Sequence, residues 1–164
     1  MNREIKKTST MTQALKKISY GFYIVSSKNN EDIAAATVSW VSQVSFDPPL
    51  VMAAIKNDGE LVNVIAESGV LAINVIGKAE KPLIPEFSKD TEVEGNKING
   101  SLFEEGVTGA PLLTRLPAFV EGKVVEAINK GDHTIFIAEV VNSGVRNPDA
   151  EPLMEWETEY HYGG

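Results

Sequence analysis

Ala36-Thr37-Val38-Ser39-Trp40-Val41-Ser42-Gln43-Val44-Ser45-Phe46-Asp47-Pro48-Pro49-Leu50-Val51 is the stretch on which the reading of this 164-residue chain turns. Hydroxyls at Thr37, Ser39 and Ser42 alternate with apolar Val38 and Trp40. Successive side chains of a strand point to opposite faces, so a strand end of this kind offers hydroxyls and backbone groups on one side and an apolar surface on the other. It suits a flat ligand with a polar edge, and it equally suits a sheet edge with solvated serines. Asp47-Pro48-Pro49 forces an extended turn, because a residue before proline avoids the helical region. Residues 50–55 then form a continuous apolar run of the buried-strand type.

The pattern extends in both directions. Upstream, Thr12 with Ala14, Leu15 and Ile18 predicts a short helix capped by Thr12 and ended at Gly21, after a flexible arm over 1–11. Residues 22–27 and 33–39 read as paired strands around the turn cluster 28–32, with Ala34, Ala35 and Ala36 leaving room for another backbone or a flat ligand. Downstream, Leu61, Val64 and Ile65 recur at helical spacing over 60–67, stopped by Ser68-Gly69. Residues 70–76 form a strand, 79–85 only a brief helix interrupted by Pro82 and Pro85, and 87–109 a long polar loop of lid-like character. Strands follow near 118–128 and 134–142, joined tightly at Gly131-Asp132. The tail, with Leu153, Met154, Trp156 and Tyr160, is expected to close the sheet. Six or so strands with two or three short helices predict a mainly β fold, a single-domain barrel with helical caps over 1–164, and not an alternating βαβ sheet.

Composition removes many functions. The chain has no cysteine, which excludes disulfides, thiolate metal sites and thiol nucleophiles. Its two histidines, His133 and His161, cannot build a three-histidine zinc site, and no metal ligand set is expected. Neither a G-x-G-x-x-G nor a Walker loop occurs. With 23 acidic and 15 basic residues the net charge is −8, so neither nucleic acid nor an anionic membrane is an expected partner. No apolar run reaches the roughly 18 residues of a membrane span. The polar start lacks a signal-peptide core, which leads to an expected cytoplasmic location.

Two further clusters carry potential chemistry. Ala53-Ala54-Ile55-Lys56-Asn57 sets a cation and an amide just before a helix start, a place suited to phosphate; a solvated turn is the other reading, and Asp58 and Glu60 oppose an anion there unless they point away. Gly131-Asp132-His133-Thr134 sets an imidazole at a strand mouth, either to meet a ligand or to satisfy a hairpin.

Together with Gly21-Phe22-Tyr23-Ile24-Val25 and the strand Gly131-Asp132-His133-Thr134-Ile135-Phe136-Ile137-Ala138-Glu139-Val140, the opening stretch resembles the flavin reductase-like family of FMN-binding split β-barrels. Phe87-Ser88-Lys89-Asp90 and the closing Pro152-Leu153, Trp156 and Tyr160 fall in the family's order. Ala138 departs from it, standing where glycine is usual. The resemblance, over about residues 12–161, implies that Thr37, Val38, Ser39 and Trp40 contact the isoalloxazine. It implies that Ser42, Ala53, Lys56 and Asn57 serve the ribityl-phosphate side, and that His133 lies at the nicotinamide or substrate side. It implies a homodimer that holds FMN (or FAD), oxidises NAD(P)H, and passes electrons to a flavin, iron or a redox protein partner. An FMN-holding electron carrier and a non-enzymatic barrel interaction domain are the alternatives. Flavin chemistry needs neither cysteine nor metal from the protein.

Overall fold

The longest strands, β10 (Ala118–Asn129) and β11 (His133–Val145), form one antiparallel hairpin at the middle of the molecule. Their inner faces carry Phe136 and Ala138, both buried, and two bulges, at Glu121/Gly122 and Val124/Glu126, bend the hairpin. In this computed structural model, which describes residues 9–164, the hairpin is flanked on one side by β5 (Val70–Val75), β1 (Tyr23–Asn29) and β2 (Asp32–Val38). On the other side lie β4 (Leu50–Lys56) and β3 (Val41–Ser45). The order β2-β1-β5-β10-β11-β4-β3 is antiparallel throughout.

The two edge strands of this sheet are consecutive in sequence. Only Ser39 and Trp40 separate β2 from β3, and three peptide steps span at most about 11 Å. The seven-stranded sheet must therefore curl until its edges meet, which makes it a barrel. The Trp40 carbonyl accepts the Ala54 N–H at 2.9 Å and ties the crossing to β4.

Helix α2 (Glu60–Ser68) follows α1 (Thr10–Leu15) in chain order and fills the barrel side of the core. Leu61, Val62, Val64 and Ile65 are its buried face, packed with Val25, Leu71, Ile73 and Phe136. Fully buried residues such as Ile65 and Phe136 each contribute about 1.5–3 kcal/mol. The helix stops at Gly69, whose φ of +70° is a left-handed cap that donates to the Ile65 carbonyl at 2.8 Å. A second core lies outside the barrel, where Phe22, Ile24 and Ile76 meet Leu83, Ile84 and Phe87, the last at the end of α3 (Leu83–Glu86).

The structure departs from the sequence expectations in three places. Helix α1 is capped by Ser9, whose Oγ accepts the Thr12 N–H at 3.1 Å, while Thr12 itself is buried; the helix gives out well before Gly21. The expected arm thus ends by Ser9, and its residues 1–8 lie outside the described residues. Residues 87–109 are not one loop. They hold β6 (Val93–Glu94), β7 (Lys97–Ile98) and β8 (Ser101–Glu105), which join β9 (Pro111–Leu113) in a four-stranded sheet. Strands of two residues show no period, but Asn99-Gly100, with φ of 47° and 82°, is the hairpin signal that marks them. Finally, the tail bridges at Gly77–Pro152 and Gly21–Met154 as expected, but Trp156 is 72% exposed and takes no part in closing the sheet.

One buried charge pins the two sheets together. Glu121 of β10 is fully buried and accepts from the Thr108 hydroxyl (2.6 Å), the Asn142 amide (2.6 Å) and the N–H groups of Val107 and Thr108 (3.1 Å each). Gly106 permits this approach, since a Cβ there would fall 2.0 Å from a carboxylate oxygen. Burial alone pushes the Glu121 carboxyl up; the four donors together outweigh it and hold it below the usual glutamate value. A depressed folded-state pKa means that this carboxylate stabilises the fold above the ordinary glutamate pKa and ceases to as pH falls through the folded value. Glu121→Gln turns an amide NH2 toward N–H donors, and urea denaturation near neutral pH is expected to show a loss of about 1.5–3 kcal/mol. The gap between variant and wild type is expected to narrow as the medium is acidified.

Candidate functional site

Where β2 meets the β4 side of the barrel, small side chains leave a cleft of about 500 Å³. Ala35, Ala36 and Ala54 form its narrow walls, and Phe87 and Leu61 give it an apolar floor. Thr37, Val38 and Ser39 line it from the end of β2, and Lys56, Asp58 and Gly59 from the loop that opens α2. The segment 88–91 and Tyr160, His161 and Tyr162 of the tail complete it.

The strand edge beside the cleft is satisfied by the segment 87–91 instead of a neighbouring strand. Thr91 Oγ1 lies 3.2 Å from both the N–H and the carbonyl of Ala35, and the Thr37 N–H donates to the Phe87 carbonyl at 2.9 Å. Thr37 and Ser88 both donate their hydroxyl protons to the Ile84 carbonyl, at 2.9 and 2.7 Å. Their oxygens keep lone pairs for a ligand donor. At the rim, Lys56 meets Asp58 and Lys89 meets Glu86, each at 3.5 Å and each exposed. Exposed pairs of this length are weak, so both ammonium groups can be recruited by a ligand anion. Asp58 and Glu60 do not point away; both line the cleft, and Asp58 is the group that holds Lys56. Helix α2 begins at Gly59 without a side-chain cap, which leaves backbone N–H groups unsatisfied beside the lysine.

Behind the wall lies an aromatic cluster. The His133 ring stands 4.5 Å from Trp40, and Tyr162 stands 5.1 Å from Trp40 on its edge. His133 Nδ1 is 2.7 Å from Asp132 Oδ1 and its Nε2 is 2.5 Å from the Tyr162 phenol. The hydrogen bond from His133, above all, holds the Asp132 carboxyl below its ordinary value. Burial pushes the Tyr162 phenol up, helped by Asp132 and Asp58. Nearby, buried Glu155 is raised by desolvation, against the opposing contacts of the Tyr162 N–H, His161 and Ser39, and one of its oxygens has no partner.

Of the residues singled out in the sequence, Thr37, Val38, Ser39 and Lys56 therefore share one cleft. The other five stand elsewhere. Trp40 is behind the wall with its indole N–H unpartnered. Ser42 lies on exposed edge strand β3 and donates to the adjacent Gln43 carbonyl. Ala53 is fully buried opposite Phe136, on the strand face away from the cleft that Ala54 lines. Asn57 is committed to the hairpin tip: its amide NH2 donates to Asn129 and the Gly131 carbonyl, and its oxygen accepts from Thr134 at 2.6 Å. His133 has both nitrogens engaged. What the sequence reading missed is the tail: Tyr160-His161-Tyr162 is a dense run of ring side chains after the last strand, the only local signal that it would meet the cleft.

A curled antiparallel barrel with a cleft at its seam, small walls, hydroxyls and two loosely paired lysines can take a flat ligand that carries an anion. Residues 15–164 match the family model described as a flavin reductase like domain, and the chain belongs to that family. It is 33% identical over 152 residues to a ferric-chelate reductase (NAD(P)H) of Archaeoglobus fulgidus, covering 91% of this chain and 88% of that protein. It is 28% identical to the NADH-dependent flavin reductase StyB of Pseudomonas fluorescens, covering 91% and 86%. Among solved structures, the styrene monooxygenase flavin reductase of Pseudomonas putida S12 superposes with a TM-score of 0.75 at 26% identity, covering 89% of this chain and 91% of that one.

The placement of Asn57 leads to a test. Asn57→Ala removes the staple on the β10–β11 tip, and urea denaturation is expected to show a loss of about 0.5–1.5 kcal/mol. Flavin affinity by fluorescence titration is expected to stay at the wild-type value.

Proposed function

We propose that this protein is an NAD(P)H-dependent flavin reductase in which the 35–39 strand end, the Lys56 loop and the 88–91 segment hold FMN. The observation that carries the reading is the cleft itself: small-walled on one side, hydroxyl-lined along its length, and at the α2 end furnished with the loosely held Lys56 and the uncapped N–H groups of the helix. Its size lies within the range of small-molecule cofactor sites. We favour FMN over FAD because its terminal monophosphate suits the loosely paired Lys56 and Lys89 at the rim. Bound flavin supplies hydride acceptance and onward electron transfer. The chain's share is to bind and orient: Ala35, Ala36 and Ala54 leave the ring its slot, Thr37 and Ser39 meet its polar edge, and Val38 packs beside it. Lys56, Lys89 and the uncapped N–H groups of α2 receive the phosphate.

We read the chain as one domain that works as a homodimer. Phe46 is 92% exposed at the end of edge strand β3, and Val125, Val141 and Val145 are exposed on the outer face of the central hairpin. A second copy covering these surfaces would bury them and shelter the flat ligand. Electrons leave to a flavin, iron or protein acceptor, and a cytoplasmic location fits both a cysteine-free chain and a pyridine-nucleotide reductant. Among the described residues no helix is long and apolar enough to cross a membrane.

Anaerobic mixing of flavin-loaded protein with NADH, then NADPH, is expected to bleach the visible flavin absorbance; a protein that stays coloured with both is an electron carrier instead. Lys56→Glu places an anion beside the phosphate and is expected to weaken FMN binding by about 1.5–3 kcal/mol in a fluorescence titration. Light scattering is expected to give twice the chain mass.

A further inference from the structure

Tyr162 is the one member of the Asp132–His133–Tyr162 chain that lines the cleft. Its phenol is held at 2.5 Å by His133 Nε2, while the His133 side chain is only 12% exposed and stacked at 4.5 Å on Trp40. The roles of the protons follow from the acceptor at the far end. A carboxylate only accepts, so Asp132 takes the Nδ1–H of His133; when the ring carries that one proton, Nε2 is left as an acceptor. The phenol of such a pair donates its single proton to His133, and the Oη of Tyr162, a residue that lines the cleft, keeps acceptor capacity alone.

An acceptor so fixed recognises an N–H donor on the ligand. The nicotinamide carboxamide carries two such hydrogens at the edge of the ring that must lie over the flavin. We propose that Tyr162 accepts a hydrogen bond from the carboxamide of the pyridine dinucleotide, and that His133 and Asp132 are positioning residues acting through it. The proposal rests on the reductase reading above. It relocates the contact expected of His133: both imidazole nitrogens are engaged, while the phenol oxygen it orients keeps a lone pair for a substrate.

The test compares NADH with its reduced 3-acetylpyridine analogue, which has a methyl ketone in place of the amide and so no N–H to give. Stopped-flow reduction of the FMN-loaded enzyme measures apparent affinity and limiting rate for each. Wild type is expected to bind NADH more tightly than the analogue, and Tyr162→Phe to lose about two- to tenfold in NADH affinity. The analogue's affinity should not change, so the preference collapses while the ring keeps its packing on Trp40. His133→Ala is expected to have the same effect, the double variant to be no worse than either single one, and His133→Gln, whose amide oxygen can accept the phenol proton, to restore part of the preference. Equal losses for both nucleotides in Tyr162→Phe, or a preference left intact, overturn the proposal alone. A wild-type protein reduced by neither NADH nor NADPH overturns the reductase reading and this proposal with it.

Discussion

Two residues, Ser39 and Trp40, join the opposite edges of a seven-stranded sheet, and that short crossing governs the rest of the molecule. An open sheet of this order would hold its edge strands far apart. A crossing of at most about 11 Å forbids it, so the sheet curls, the β2 and β4 sides approach, and the interior becomes narrow enough for α2 to fill. The cleft is the remainder of that closure. It opens where β2 lacks a neighbouring strand, and Thr91 and the Phe87 carbonyl complete the strand's hydrogen bonds in place of one. A ligand placed there touches groups of β2 and β4 at once.

The same geometry leaves two loosely held cations at the cleft of an acidic protein. The chain carries a net charge of −8, and Asp58, Glu60 and Asp90 stand at the cleft beside Lys56 and Lys89. Neither lysine is tightly paired. The 3.5 Å contacts of Lys56 with Asp58 and Lys89 with Glu86 are loose and solvated, and giving them up costs little. By contrast, the buried carboxylate of Glu121 has four donors and structural work only. Exposure separates the charges available for binding from those that fix the fold.

Residue type and period carried much of the architecture. The β-like runs 22–27 and 33–39 around a turn cluster, the apolar run 50–55 and the helical spacing of Leu61, Val64 and Ile65 are local properties, and the elements they predict stand where expected. The small sheet over 93–113 was hidden because strands of two and three residues are held by partners distant in sequence, Leu113 to Phe103 for example, and leave no period of their own. The Ser9 cap was hidden because Thr12, equally apt in chemistry, lies three residues on and is buried.

For the site, the sequence by itself determined the inventory: hydroxyls at 37 and 39, alanines beside them, a lysine after a buried strand, an imidazole at a hairpin mouth, and a family signature across them. Only the tertiary structure decided their use. Asn57 and His133 sit next to apt neighbours in the chain, yet one is bound into the hairpin tip and the other lies behind Trp40. Tyr162, 29 positions from His133, is brought against it by the returning tail. The physical reason is that a hydrogen-bonding group has few bonds to give, and which partner takes them depends on distances that only the closed barrel sets.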